Sequence, residues 1–267
     1  MTRWIRAIML ALIAPLVLSG CLFFPGKFES TLTIHADRSF TYTYKGEVLA
    51  VDLEAMMGKA MQAGMAAGAK SSTEDADKSE DADKAEDSDK EASPGMPDMT
   101  LTPEEKAKQD DGFRKLAVEL AKESGYRTVE YRGDGVFFVD YQISGFLTHG
   151  LVFPYNYDNH VLMPWLLVEV RGKDMIRVKA PGFARPDMGG AGGMGGLGAM
   201  GAFPMPGANN AFTGMDGTFT LITDGELVAQ NNEDGAKAAG ITRTVVWHVT
   251  SDTPDAPMAS IRVKPLP

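Results

Sequence analysis

Residues 28–44, FESTLTIHADRSFTYTY, carry the pattern that decides the fold. Apolar or aromatic residues alternate with polar ones on both sides of the polar segment Ala36-Asp37-Arg38-Ser39. A period of two, with β-branched and aromatic side chains flanking a polar turn, is typical of two paired β-strands. The stretch therefore predicts a β-hairpin.

The same alternation recurs in the second half of the chain. Gly133-Asp134-Gly135 and Gly172-Lys173-Asp174 separate alternating runs, which is a hairpin signal. An aromatic loop, residues 153–157, joins the two pairs. Strands are predicted at 126–132, 136–143, 160–171, 175–180, 217–223, 227–230, 241–249 and 259–263.

Two segments have helical periodicity. Residues 52–67 are rich in Ala and Met at three-to-four spacing, and we expect their Met stripe to be packing rather than a ligand surface. The second helix starts at Thr102 as N-cap, with Pro103 at N1 and Glu105 completing a capping box, and Gly125 is placed to stop it. Its predicted apolar face comprises Phe113, Leu116, Ala117, Leu120 and Ala121. We therefore expect an α+β fold: a curved antiparallel β-sheet packed against one or two helices, with two low-complexity insertions.

The first 21 residues predict a targeting signal. Arg3 and Arg6 precede eleven apolar residues, 7–17, whereas a membrane-spanning helix needs about 20. The following Leu18-Ser19-Gly20-Cys21 resembles the lipobox of bacterial lipoproteins. The resemblance implies cleavage between Gly20 and Cys21, a diacylglycerol thioether on Cys21 and acylation of the new N-terminus, for example with palmitate. Several acyl chains, at ~0.8 kcal/mol per buried methylene, make a durable membrane anchor.

The first low-complexity segment is acidic. Three similar hexapeptides give ten acidic residues and three lysines between Ser71 and Glu91, with no large apolar residue. Such a block favours a solvated spacer, which we place at 69–101. Weak calcium or magnesium binding by its Asp-x-Asp pairs is the alternative.

The second segment, residues 187–216, contains ten Gly and five Met. Glycine at this density favours a flexible loop within the domain. Copper(I) binding by thioethers is one alternative, and shallow membrane contact through its scattered apolar residues is another. The domain plan is therefore a signal peptide at 1–20 and a single periplasmic domain formed by 21–68 and 102–267.

Composition and motifs argue against several functions. A net charge of −10 disfavours nucleic acid as a partner, and a single Cys excludes a disulfide-stapled fold and multi-cysteine metal sites. His149 and His160 flank the aromatic loop beside Asp140 and Asp158, but no zinc, nucleophile-elbow or phosphate-loop motif accompanies them. We therefore expect no catalytic residues, no metal and no cofactor.

The body of the chain is similar to the LppM-type lipoprotein domain over about a third of its length. The similarity lies in Thr31-Leu32-Thr33-Ile34, Asp37 and Ser39-Phe40 near the lipobox, and in the late strand ending at Trp247. It implies an apolar groove between helix and sheet, suited to lipid. Uncharacterised Gram-negative envelope lipoproteins share this layout.

These observations predict a lipid-anchored, periplasm-facing protein of the Gram-negative envelope. Leu22, rather than Asp, after the Cys favours the outer membrane over the inner one, by analogy with enterobacteria. The expected function is a non-enzymatic binding module for lipid or another apolar ligand. The alternatives are a structural or assembly lipoprotein that contacts another envelope protein, and a hydrolase.

Overall fold

The hairpin at residues 28–44 extends beyond its alternating pattern and forms the centre of the larger of two β-sheets. The computed structural model describes residues 21–52, 101–154, 164–185 and 214–266, and strands make up 56 % of them. The elements are β1 (Cys21–Ile34), β2 (Ser39–Asp52), α1 (Pro103–Leu120), β3 (Tyr126–Gly133), β4 (Val136–Phe146), β5 (Leu151–Phe153), β6 (Leu166–Arg171), β7 (Met175–Lys179), β8 (Asp216–Thr223), β9 (Glu226–Gln230), β10 (Lys237–Ala239), β11 (Thr242–Thr250) and β12 (Met258–Arg262).

The strands form two sheets. The large sheet has seven strands in the order β10-β11-β8-β1-β2-β4-β3, and the small sheet has five in the order β5-β6-β7-β12-β9. Neighbouring strands are antiparallel except for β1 and β8, which run parallel. This parallel pair joins the start of the described chain to its last quarter.

The two sheets share one hydrophobic core, which is rich in aromatic rings. From the large sheet, Tyr42 meets Phe153 with ring centroids 4.9 Å apart, and Tyr44 meets Trp165 at 5.3 Å. Phe28 stacks on Phe183 at 4.5 Å. We call the face of the large sheet that carries these residues its inner face and the opposite one its outer face.

Helix α1 covers one flank of the inner face. Phe113 lies on Tyr131 and Phe137 with centroid distances of 5.6 and 5.7 Å, and Ala117 is also buried. The Tyr131 hydroxyl donates a hydrogen bond to Asp110 of the helix. One helix therefore closes the part of the sheet nearest to β3.

A β-bulge lies in the β1–β2 pair. The register shifts between Pro25 and Phe28: Gly26 and Lys27 stand where β2 has only Glu47, and Phe28 pairs with Gly46. A Cβ atom at Gly46 would lie 2.3 Å from the carbonyl oxygen of Lys27, so only glycine fits there. Before the bulge the odd-numbered residues of β1, such as Phe23, face the core, and after it the even-numbered ones, such as Phe28, do.

The predicted α+β class is wrong, because the chain is mainly β. The described part contains one helix of seven or more residues, and a second sheet occupies the place where we expected a helical layer. Alternation indicates which side chains face a core but not which strands are neighbours. The sequence therefore predicted one sheet where the strands form two.

Most individual elements are confirmed. The hairpin is present, and Thr102 and Glu105 form the predicted capping box of α1. The helix ends at Leu120 rather than at Gly125, which has a φ of 95° and leads into β3. The predicted helix at 52–67 falls outside the described residues apart from Asp52, and so do most of the 69–101 and 187–216 segments. The domain plan stays a prediction.

Candidate functional site

Cys21, the predicted lipidation residue, is the first residue of β1. It lies opposite Asp52 in the strand register, and Leu22 lies opposite Val51. Cys21 is therefore itself part of the β1–β2 pair. Gly20 falls outside the described residues, so cleavage before Cys21 and its acylation stay predictions.

The start of β1 is fixed to the core by a hydrogen bond and an aromatic contact. The Trp165 indole donates a hydrogen bond of 3.0 Å to the carbonyl oxygen of Phe23. The Phe23 ring meets the edge of Phe137, with centroids 6.5 Å apart. The chain is thus attached to the core within two residues of Cys21. We call this the Cys21 end.

The opposite end is held by a buried arginine. Arg38 is 1 % exposed, and its guanidinium donates to three backbone carbonyls: Lys264 at 2.7 Å, Leu147 at 3.1 Å, and Lys173. These acceptors come from the C-terminal segment, the β4–β5 connection and the β6–β7 turn. Arg38 therefore ties three separate segments to the β1–β2 turn, and we call this set the Arg38 clasp.

A histidine–aspartate pair lies beside the Arg38 clasp. His35 Nδ1 lies 3.0 Å from Oδ2 of the Asp224 carboxylate. Oδ1 of the same carboxylate accepts a hydrogen bond of 2.5 Å from the Ala36 N–H. The His35 hydrogen bond is the main reason that the pKa of Asp224 is held below its ordinary range. Nearby, hydrogen bonds from the Ser39 hydroxyl and then its N–H lower the pKa of Asp37. Sequence reasoning did not find this pair, because its members are 189 residues apart.

The histidines and aspartates of the aromatic loop are not brought together where the structure describes them. His149 is exposed and contacts the Thr148 hydroxyl at 3.0 Å. Asp140 lies on the outer face of β4 near Arg127, with 3.7 Å between charged atoms. His160 and Asp158 fall outside the described residues. The hypothesis of a shared site therefore has no support from His149 and Asp140.

The space between the sheets is filled by contacting rings, and its buried hydroxyls have partners. Ser30 donates to the Tyr42 hydroxyl at 3.1 Å, and Tyr44 donates to the Glu47 carbonyl at 2.8 Å. Burial raises the pKa of both phenols, because an ionised ring would lose its hydration. The aromatic residues of the inner face therefore pack as a core.

Metal-ligand clusters and membrane-spanning helices are both absent from the described residues. Among them, no three His, Cys, Asp or Glu side chains are grouped so that they could hold a metal ion. Within the same ranges, no helix combines the length and the apolar character needed to cross a membrane.

Comparisons with known proteins give one weak structural similarity. No family model matches the chain, and no curated protein matches it significantly. Among solved structures, the chain is similar to the NMR structure of the folded domain of LppM from Mycobacterium tuberculosis, with 12 % sequence identity over 92 % of both chains and a TM-score of 0.27. At this TM-score the similarity carries no conclusion about the fold, the site or the function, and the LppM resemblance stays a prediction.

Proposed function

We propose that the chain is a lipoprotein of the Gram-negative envelope, held on the periplasmic side of the outer membrane by Cys21, and that it acts as a non-enzymatic binding module. The observation that carries the proposal is that the lipobox cysteine itself lies in β1, paired with Asp52 of β2. A lipid on that residue would hold the folded domain close to the membrane, because Phe23, two residues further on, is already hydrogen-bonded to Trp165 of the core.

The packed interior favours recognition on the outside of the sandwich over carriage of lipid inside it. Rings of both sheets contact each other at the core, where a carried acyl chain needs open space. We therefore place the assembly role, contact with another envelope protein, ahead of the lipid-carrier role.

Strand β9 is the edge best suited to such a contact. It forms the outer strand of the small sheet, spans five residues, and carries Val228, which is 47 % exposed. Of the other three edge strands, β5 and β10 have only three residues each, and the eight-residue β3 has two register irregularities and packs against α1. An edge strand offers unpaired backbone groups that an extended partner segment pairs with.

Fractionation of cells tests the anchor. Wild-type protein should float with outer-membrane vesicles, and the Cys21→Ser variant, exported with a cleavable non-lipoprotein signal peptide in place of residues 1–20, should move to the soluble periplasm at similar abundance. A variant that still floats would show that something other than Cys21 holds the protein.

Two measurements then separate the two binding roles. A photo-crosslinker at Val228 should capture a defined envelope protein, and the same group at Val118, 59 % exposed on α1, should not. Native mass spectrometry of Cys21→Ser protein purified from cells should give the mass of the chain alone. Co-purified lipid without a crosslink at Val228 would favour the carrier role.

A further inference from the structure

The outer face of the large sheet changes its chemistry along the strands. In a strand, successive side chains point to opposite faces, so the register identifies the residues that share the outer face. Nearest to Cys21, every outer position on β1, β2 and β4 is apolar: Leu22, Phe24, Leu49, Val51 and Val136. Phe138, the next outer residue on β4, continues this set. We call these six residues the apolar band.

A charged row follows the apolar band. Glu29, Lys45 and Asp140 lie side by side on the three strands. Glu47, opposite Phe138, marks the boundary between the two. Arg132 of β3 lies over the Phe138 ring, 4.4 Å from its centroid, so its aliphatic stem covers apolar surface while its charged group stays at the rim.

Beyond the charged row, the same face is uncharged and polar. Thr31 lies opposite Thr43, and Thr33 lies opposite Thr41. Thr41 shares a hydrogen bond of 2.9 Å with Ser144 of β4. This polar end is an ordinary solvent-facing sheet surface, whereas the apolar band is unusual for such a face.

We infer that the apolar band is a membrane contact: it enters the interface of the phospholipid bilayer that holds the acyl chains of Cys21, with strands β1 and β2 rising away from the membrane. The inference rests on the proposed lipidation. Because Cys21 is itself part of β1 and Leu22 is the next residue, the anchor leaves no spacer between the bilayer and the band.

The dimensions and the remaining exposure fit a lipid surface. The first two rows of the band, from Leu22 and Val51 to Phe24, Leu49 and Val136, span about 7 Å along the strands at ~3.3 Å per residue, and Phe138 lies one row or about 7 Å further, at the rim. Amphipathic elements enter the interface by about 5–10 Å, so the first two rows fit within it. Leu22 and Phe24 are only 3 % and 5 % exposed, but the other four residues keep part of their surface. Four half-buried side chains are too few for a second copy, because a stable interface buries about 800 Å² on each partner.

The test uses the acylated full chain in vesicles of phosphatidylethanolamine and phosphatidylglycerol that carry a headgroup nitroxide lipid. The chain has one cysteine, and its thioether leaves an introduced cysteine as the sole reactive thiol. Fluorophores are placed at Val136→Cys and Val51→Cys in the apolar band. The matched controls are Ser144→Cys and Thr41→Cys, on the same face of the same two strands.

The expected result is loss of most of the fluorescence at Val136→Cys and Val51→Cys and no change at the two controls, which lie about 26–33 Å further along the strands. Two results overturn the inference. The first is no quenching at any position of a protein that floats and is acylated, which would mean that another part of the chain or a second copy covers the band. The second is equal quenching at all four positions. Two probes on separate strands keep the test valid if one variant does not fold. If mass spectrometry finds Cys21 unmodified, the lipoprotein proposal itself fails, and the inference falls with it.

Discussion

Replacing Arg38 should destabilise the fold far more than replacing an exposed charged residue such as Arg171. Its three bonds to carbonyls come from a charged donor, and each such bond contributes about 1.5–3 kcal/mol when both partners are buried. Leu147 is buried, but the acceptors on Lys173 and Lys264 lie in exposed residues, where water replaces a lost donor. We therefore expect Arg38→Ala to lower the free energy of unfolding by about 3 kcal/mol.

The backbone of Arg38 supplies a second, independent comparison. Its φ of 78° lies in the left-handed region, which costs a residue with a Cβ atom about 1–2 kcal/mol and costs glycine little. Arg38→Gly loses the same hydrogen bonds as Arg38→Ala but relieves this strain. The glycine variant should therefore be the more stable of the two by about 1 kcal/mol.

Urea unfolding and thermal melting of the soluble Cys21→Ser protein measure both effects. A loss of 3 kcal/mol corresponds to a fall of about 6–12 °C in the melting temperature for a domain of this size. Arg171→Ala is the control, since Arg171 is 59 % exposed and, among the described residues, forms an ion pair only with Glu169; such an exposed pair contributes less than about 1 kcal/mol. Equal losses for Arg38→Ala and Arg171→Ala would refute the role of the Arg38 clasp.

Three further predictions concern local structure. Gly46→Ala should destabilise the protein by more than about 2 kcal/mol in urea unfolding, because the added Cβ would lie 2.3 Å from a β1 carbonyl oxygen. Gly112→Ala is the control: it has open space in α1 and should stabilise the protein by about 0.5–1 kcal/mol. Similar effects of the two substitutions would contradict the bulge geometry. Thr102→Ala should cost about 1 kcal/mol and speed amide exchange in the first turn of α1, and unchanged exchange would show that the capping box is idle. Asp224→Asn should lower the free energy of unfolding above pH 4, where wild-type Asp224 is ionised and bonded to His35. The difference in stability between wild type and variant should shrink as the pH falls below 3.8 and through the depressed pKa of Asp224. A difference that does not depend on pH would contradict the pairing.

Local signals were sufficient for most elements of the fold. The capping box of α1 needs only residues 102–105, and the hairpin needs only the alternation at 28–44, so both followed from the sequence. The division into two sheets did not. The pairing of β1 with β8 joins Lys27 to Asp216, and no pattern within either strand specifies that neighbour.

The candidate sites divide in the same way. The Cys21 prediction came from four consecutive residues, whereas the Arg38 clasp and the His35–Asp224 pair depend on segments brought together by both sheets. The apolar band was hidden by the bulge. Leu22 and Phe24 share the even numbering of core-facing Phe28, but the register shift after Pro25 turns them to the outer face.

The mass of the N-terminal tryptic peptide of the protein isolated from outer membranes tests the central claim most directly. If Cys21 carries the anchor, the peptide Cys21–Lys27 is found with the added mass of a glyceryl thioether and its acyl chains, and no peptide extends across Gly20 and Cys21. An unmodified Cys21–Lys27 peptide, or one that still contains Gly20, would contradict the lipid anchor and the orientation derived from it.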